Sequence, residues 1–203
     1  MSKFTVIDLF SGAGGLSKGF LDAGFEVLLG IDNDKAALST FELNHDGAKA
    51  LSLDLADPKT FQEIKRIIGD KNLDVIVAGP PCQGFSLSGP RNFDDERNKL
   101  YLAVIETVQI FKPKAFIIEN VPGMATLYKG EIKNEILRRF EKLGYNIECK
   151  LLCAADYGVP QVRKRLIFMG IRKDIGIPKF PDAIFNPESY VSCRDAIDDL
   201  PSR

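Results

Sequence analysis

Residues 4–24 read Phe4-Thr5-Val6-Ile7-Asp8-Leu9-Phe10-Ser11-Gly12-Ala13-Gly14-Gly15-Leu16-Ser17-Lys18-Gly19-Phe20-Leu21-Asp22-Ala23-Gly24, and this stretch decides the fold. The apolar run at 4–9 predicts a buried strand, the glycines permit a sharp turn, and 16–23 reads as a helix that Gly24 stops. The same alternation continues, with strands expected at 25–31, 48–53, 73–78 and 114–119 and helices at 34–43, 58–68 and 98–111. In the second helix Ala37, Leu38, Phe41 and Leu43 are expected to share the apolar face. A further helix at 130–143 rests on Ile132, Ile136, Leu137, Phe140 and Leu143 at helical spacing, with Gly144 beyond its end. Residues 145–153 then alternate as a half-buried strand, and 165–171 follow as another strand with no helix between them. Repeated strand–helix alternation with continuously apolar strands specifies a parallel sheet covered on both faces. The expectation is a doubly wound, mostly parallel α/β domain over residues 1–171 whose last strand is antiparallel, followed by an irregular tail at 172–203. In such sheets ligands bind beyond the carboxyl ends of the strands.

A chain of 203 residues supports one full core and at most a small second one. Its apolar runs fall well short of the roughly 18 residues that a membrane span requires, and MSKFTVIDLF carries no cleavage-site pattern. Four cysteines without framework spacing point to a reducing cytoplasm, with Cys149, Cys153 and Cys193 read as small buried hydrophobes. The single histidine, His45, stands in the turn signal Asn44-His45-Asp46-Gly47, the wrong place for a buried base. Histidine-dependent hydrolytic dyads and histidine-rich zinc sites are therefore disfavoured, and no metal site is expected. Net charge is -1, but the balance shifts from 5 basic and 9 acidic residues in 1–60 to 14 and 11 in 121–203, so a polyanion would meet the second half.

The strand ends carry the chemistry. After the first strand, the glycine run lets a ligand approach the backbone at the amino end of a helix. A dinucleotide fingerprint is the rival reading, yet Ser17 occupies its third glycine position. Asp32 ends the second strand, 20 residues after Gly12, where a carboxylate can accept from ribose hydroxyls, which favours an adenosyl ligand over bare phosphate. Asp54, after the third strand, could accept from an adenine amino group. The fourth strand delivers Gly79-Pro80-Pro81-Cys82-Gln83-Gly84-Phe85-Ser86, where two prolines stiffen the chain before a cysteine placed to act as a nucleophile. Glu119-Asn120-Val121 ends the fifth strand; a carboxyl group there is expected to be desolvated, with a raised pKa. Gln161-Val162-Arg163-Lys164-Arg165 leads into the last strand.

Together these segments resemble the DNA cytosine-5 methyltransferases, whose motifs run in this order: Asp-Leu-Phe-Ser-Gly-Ala-Gly-Gly, Pro-Pro-Cys-Gln-Gly-Phe-Ser, Glu-Asn-Val and Gln-x-Arg-x-Arg. The resemblance implies a Rossmann-like S-adenosylmethionine-dependent methyltransferase fold and a part in DNA methylation, as in restriction–modification systems. By it, Phe10, Ser11, Gly12, Ala13, Gly14, Gly15, Leu16, Asp32, Asn33, Asp54, Leu55, Gly79, Pro81 and Leu100 would hold S-adenosylmethionine. Cys82, Glu119, Asn120, Arg163 and Arg165, helped by Gln83 and Ser86, would form the cytosine pocket. Double-stranded DNA is the implied partner, with 85–98 as a lid over a flipped-out base and Arg91 and Arg97 as phosphate contacts. Family members continue into a target-recognition domain and two final motifs that this sequence does not contain, so a split-enzyme subunit, met by a complementary chain, or a truncated fragment is expected. An RNA cytosine-5 methyltransferase is the nearest alternative among enzymes, and a non-catalytic cofactor-binding partner subunit the alternative from another class; Cys82, Glu119 and Arg165 together speak against the latter.

Overall fold

A computed structural model describes residues 3–69, 71–81 and 99–200. The chain runs β1 (Thr5–Leu9), α1 (Gly15–Asp22), β2 (Glu26–Asp32), α2 (Lys35–Asn44), β3 (Lys49–Ser52), α3 (Lys59–Ile68), β4 (Val75–Ala78), α4 (Lys99–Phe111), β5 (Ala115–Asn120), α5 (Glu131–Lys142), β6 (Tyr145–Cys153), β7 (Lys164–Arg172) and α6 (Cys193–Ile197). The strands form one seven-stranded sheet in the order β3-β2-β1-β4-β5-β7-β6. Pairings from β3 through β5 are parallel, and β7 alone runs opposite to both of its neighbours. This is the doubly wound sheet with an antiparallel last strand that the sequence pattern predicts. Neighbouring β1 and β4 form the topological switch point, where connections leave in opposite directions and a crevice opens beyond the carboxyl ends.

Strand β1 is buried throughout because both faces are covered. Ile7 and Leu9 join Leu29, Ile31, Ile76, Phe116 and Phe140 on one side, while Val6 joins Val27, Phe41, Val75 and Val77 on the other. Asp34 starts α2 by accepting from the amides of Ala36 (2.9 Å) and Ala37 (3.2 Å). On β2, Gly30 admits the Phe41 ring: a Cβ there would fall 2.5 Å from Phe41 Cε2.

Several expectations are corrected by the packing. Leu43 is 84% exposed; it lies two residues beyond Phe41, about 200° around the helix and off the apolar face. His45, expected in a solvated turn, is buried against α1 and Phe41. Along β6, Tyr145 and Cys153 are buried and Cys149 half-buried, but Leu151 is exposed, because this strand is the sheet edge. Cys193 is not buried either: it opens the surface helix α6, and its thiol donates to Pro160 O.

The tail after β7 is irregular but pinned. Asp156 O accepts from the amides of Ile184 (2.9 Å) and Phe185 (3.0 Å), and its carboxylate accepts from Tyr190 Oη (2.5 Å), whose phenol is thereby pushed up to about 12. Tyr157 Oη donates to Pro181 O. Among the described residues, no helix is long and apolar enough to cross a membrane, and no group of three or more His, Cys, Asp or Glu side chains is placed to hold a metal ion.

Candidate active site

Beyond the carboxyl ends of β1 to β4 lies a cavity of about 260 Å³ lined by Phe10, Asp32, Asn33, Leu53, Asp54, Leu55, Gly79, Pro81 and Leu100. Each strand contributes the residues just past its end, so the parallel register assembles the wall. Backbone hydrogen bonds lock these ends together: Ser11 N to Ile31 O (3.0 Å), Gly79 N to Leu9 O (3.2 Å) and Leu53 N to Asp32 O (3.2 Å). Phe10 takes a positive φ of 58° as the chain leaves β1, a conformation a bulky side chain adopts only when its surroundings impose it. Leu53 is the lining residue that the sequence reading missed; its signal was its place directly before Asp54.

Asp32 does more than line the wall. Its Oδ2 accepts from Gly12 N (2.8 Å) and its Oδ1 from Asp34 N (2.9 Å), so one carboxylate ties the glycine loop to the start of α2. Asp54 Oδ1 accepts from Ala56 N (2.8 Å), and the residue lines the cavity on the β3 side. In the glycine loop, Gly14 N donates to Ser11 O (2.8 Å), and Gly14 caps α1 with φ 86°. Ser11 is buried, and its hydroxyl has no hydrogen-bond partner among the described residues. A Cβ at Gly12 or Gly15 would meet open space. Ala13 on the loop is exposed and Leu16 in the first turn of α1 is half-buried, both outside the cavity lining.

Next to this cavity, β5 and β7 bring a second set together. Glu119 pairs with Ile167 across the strands, which makes Arg165, two residues away, its diagonal neighbour on the same face. Arg165 Nε stands 2.6 Å from Glu119 Oε1, the two side chains being 24% and 30% exposed. The deep desolvation expected of Glu119 is therefore corrected: the strand end opens to solvent and an arginine faces the carboxylate. Asn120 is buried, and its Nδ2 donates to Pro80 O (3.2 Å), while its Oδ1 accepts from Val121 N (2.8 Å). This side chain thus fixes the end of β5 against the Pro80-Pro81 turn. Arg163 is exposed on the turn before β7, its carbonyl accepting from Ala154 N (2.9 Å). Cys82, Gln83 and Ser86, with the lid at 85–98 and Arg91 and Arg97, lie outside the described residues.

Three polar groups, Asp8, Ser17 and His45, lie buried under the loop, and the sequence reading gave Asp8 no role. Asp8, 1% exposed within β1, has its carboxyl pushed up to about 7, chiefly by burial and further by the charge of Asp32, against the hydrogen bonds from Ser17. A lone carboxylate inside an apolar strand was the readable signal. Ser17 Oγ and His45 Nε2 are 3.2 Å apart. They are no hydrolytic dyad, since both are sealed from solvent and Asp8 stands against Ser17 rather than His45.

Residues 4–203 match the family described as C-5 cytosine-specific DNA methylase. Type II methyltransferase M1.HphI of Haemophilus parahaemolyticus is 42% identical over 202 residues, which cover 98% of this chain and 53% of that protein. M.XorII of Xanthomonas oryzae pv. oryzae is 40% identical over 205 residues, covering 99% and 47%. Among solved structures, a DNA modification methyltransferase encoded within an E. coli prophage matches with a TM-score of 0.78 at 32% identity, over 99% of this chain and 56% of the other. DNMT2 of Spodoptera frugiperda matches at 0.71 with 23% identity, covering 91% and 57%, a likeness of fold alone. The chain spans about half the length of the curated relatives it matches. A methylase sheet, a cavity beyond its switch point and a Glu–Arg pair at the next strand ends thus coincide with a match along nearly the whole sequence, and the chain belongs to the C-5 cytosine-specific DNA methylase family.

Proposed function

We propose that this chain transfers a methyl group from S-adenosylmethionine to carbon 5 of cytosine in double-stranded DNA, through a covalent adduct between Cys82 and a flipped-out base. The observation that carries the proposal is the cavity whose wall ends at Pro81, the residue before Cys82, beside the Glu119–Arg165 pair. The residues present fit the cofactor. Phe10, Leu53, Leu55, Pro81 and Leu100 supply apolar walls for a flat base, Asp32, Asn33 and Asp54 supply polar rims, and the orphaned Ser11 hydroxyl and open Gly12 leave room and a donor for a polar ligand.

Carbon 5 of cytosine is a weak nucleophile, and the residues of this chain answer that. The Cys82 thiolate adds to carbon 6, forming a C–S bond and pushing the ring electrons onto carbon 5. Glu119 holds nitrogen 3 and the exocyclic amine, supplying the proton that the adding ring takes up. Arg165 binds the ring carbonyl oxygen and orients Glu119 through the ion pair; Arg163, Gln83 and Ser86 complete the pocket, and Asn120 holds the Pro80-Pro81 turn. When bound, S-adenosylmethionine supplies an electrophilic methyl on its sulfonium. Loss of the proton at carbon 5 to a base then expels Cys82. Because the thiolate approaches the face of the ring, the base must leave the stack.

We further infer that residues 1–171 form the catalytic domain, that 172–203 act as a strap, that the protein works in the cytoplasm, and that a complementary chain supplies target recognition. Support for that chain comes from Ile177, Ile184 and Leu200 in the strap, 73%, 74% and 63% exposed. Alone, the 203 residues are expected to bind S-adenosylmethionine weakly and methylate negligibly. The test is trapping on DNA containing 5-fluorocytosine, where fluorine blocks the final elimination. With the complementary chain present, wild type forms a denaturation-resistant adduct and Cys82→Ser forms none while keeping its cofactor affinity; an adduct in that variant would remove Cys82 from the role.

A further inference from the structure

Beneath the glycine loop lies a buried constellation that the chemistry above does not use. Asp8 on β1, Ser17 on α1 and His45 at the end of α2 are 1%, 0% and 1% exposed, so three elements each send a polar side chain into one dry place. The His45 ring stacks on Phe41 with centroids 4.1 Å apart and planes 5° from parallel. Nδ1 lies 3.0 Å from Phe41 O, which can only accept, so that nitrogen carries the hydrogen. In the neutral ring Nε2 is an acceptor, so it shares the single proton of the Ser17 hydroxyl with Gly14 O, each 3.2 Å from Oγ. Ser17 N donates to Asp8 Oδ2 at 3.2 Å. Directly above sits Gly14: a Cβ there would fall 2.2 Å from His45 Cε1 and 2.7 Å from Phe41 Cδ2. Burying three polar groups is costly where apolar side chains would fill the same space, and a fully bonded network fixes a single arrangement.

We propose that His45 is a positioning residue for the glycine loop: clamped between Phe41 O and Ser17, its ring is the floor that sets the height and turn of Gly14, and thereby the loop shape that receives S-adenosylmethionine. The inference rests on the cofactor reading above. His45 touches neither cofactor nor base; it acts through Gly14 and Ser17.

The test is a ligand-observed NMR titration of the 203-residue chain with S-adenosylhomocysteine, which reads weak affinities, alongside thermal melting without ligand. His45→Ala is expected to weaken binding about tenfold and Ser17→Ala about threefold to fivefold. His45→Gln, whose side-chain amide can meet the Ser17 hydroxyl, is expected to return to within about threefold of wild type. A histidine that only fills space would lower the melting temperature in both His45 variants and leave the dissociation constant unchanged, and that result overturns the proposal, as does a glutamine variant no better than alanine. Should His45→Ala fail to fold, Ser17→Ala decides, because it removes one hydroxyl; unchanged affinity there overturns the clamp. A wild-type chain that binds no S-adenosylhomocysteine overturns the cofactor reading and this inference with it, whereas wild-type binding with unchanged variants overturns this inference alone.

Discussion

Replacing Asp8 with asparagine is expected to stabilise the protein at pH 8 and to do little at pH 4. The carboxyl group is 1% exposed, and burial raises it from its ordinary 3.8 to about 7. Below pH 3.8 it is protonated in both folded and unfolded chains, and no charge is buried. Between 3.8 and about 7 the folded chain keeps a proton that the unfolded chain has lost, so stability falls as pH rises, and above 7 the full cost of burying a carboxylate is present. At about 1.4 kcal/mol per pH unit, that window corresponds to about 4 kcal/mol. Asparagine retains an acceptor for Ser17 N but brings an amide to satisfy, at about 1 kcal/mol. The net gain expected at pH 8 is therefore about 3 kcal/mol. Urea unfolding of both proteins from pH 4 to pH 8 measures it, because the difference between them at each pH cancels every other titrating group. A difference constant across that range, or a less stable variant at pH 8, would refute the assignment of the burden to Asp8.

Three further outcomes are expected. Glu119→Gln keeps the shape but removes the proton and the charge facing Arg165, so single-turnover methylation in the reconstituted complex should slow by about 10²- to 10⁴-fold, and an unchanged rate would leave Glu119 a structural residue. Gly30→Ala drives a methyl group to 2.5 Å from Phe41 and should cost about 1–3 kcal/mol in urea unfolding; full stability would mean that the ring moves aside freely. Tyr190→Phe loses the bond to Asp156 and should speed limited proteolysis within 180–192, with cofactor affinity unchanged; equal cleavage rates would show that the backbone bonds of Ile184 and Phe185 suffice.

The sheet was legible because its strands announce themselves as short apolar runs between turn residues, and the wall of the cavity was legible because parallel strands place their next residues at a common edge. Phe10, Asp32, Asn33, Asp54, Leu55, Gly79, Pro81 and Leu100 line that cavity. What the sequence did not show is where side chains turn after leaving an element. Asn44-His45-Asp46-Gly47 carries every mark of a solvated turn, yet the helix end aims His45 back under α1. The environment of Glu119 depends on β7, 46 residues later in sequence, whose antiparallel register alone delivers Arg165. Asp32 looked like a ligand acceptor, and its work in joining two loops depends on a contact to Gly12 that no local pattern encodes.

The anchoring of the strap on Asp156 makes a mechanical linkage of two distant parts of the chain. Ile184, Phe185 and Tyr190 all hold that one residue, and the turn it belongs to is bonded in turn to Arg163 through Ala154 N. A path of few bonds thus joins the strap to the segment carrying Arg163 and Arg165, separate from the hydrogen-bond ladder of the parallel half of the sheet. A pull on the strap therefore meets the turn that leads into β7 before it meets the cavity at the ends of β1 to β4, and the two regions are tied to different parts of the chain.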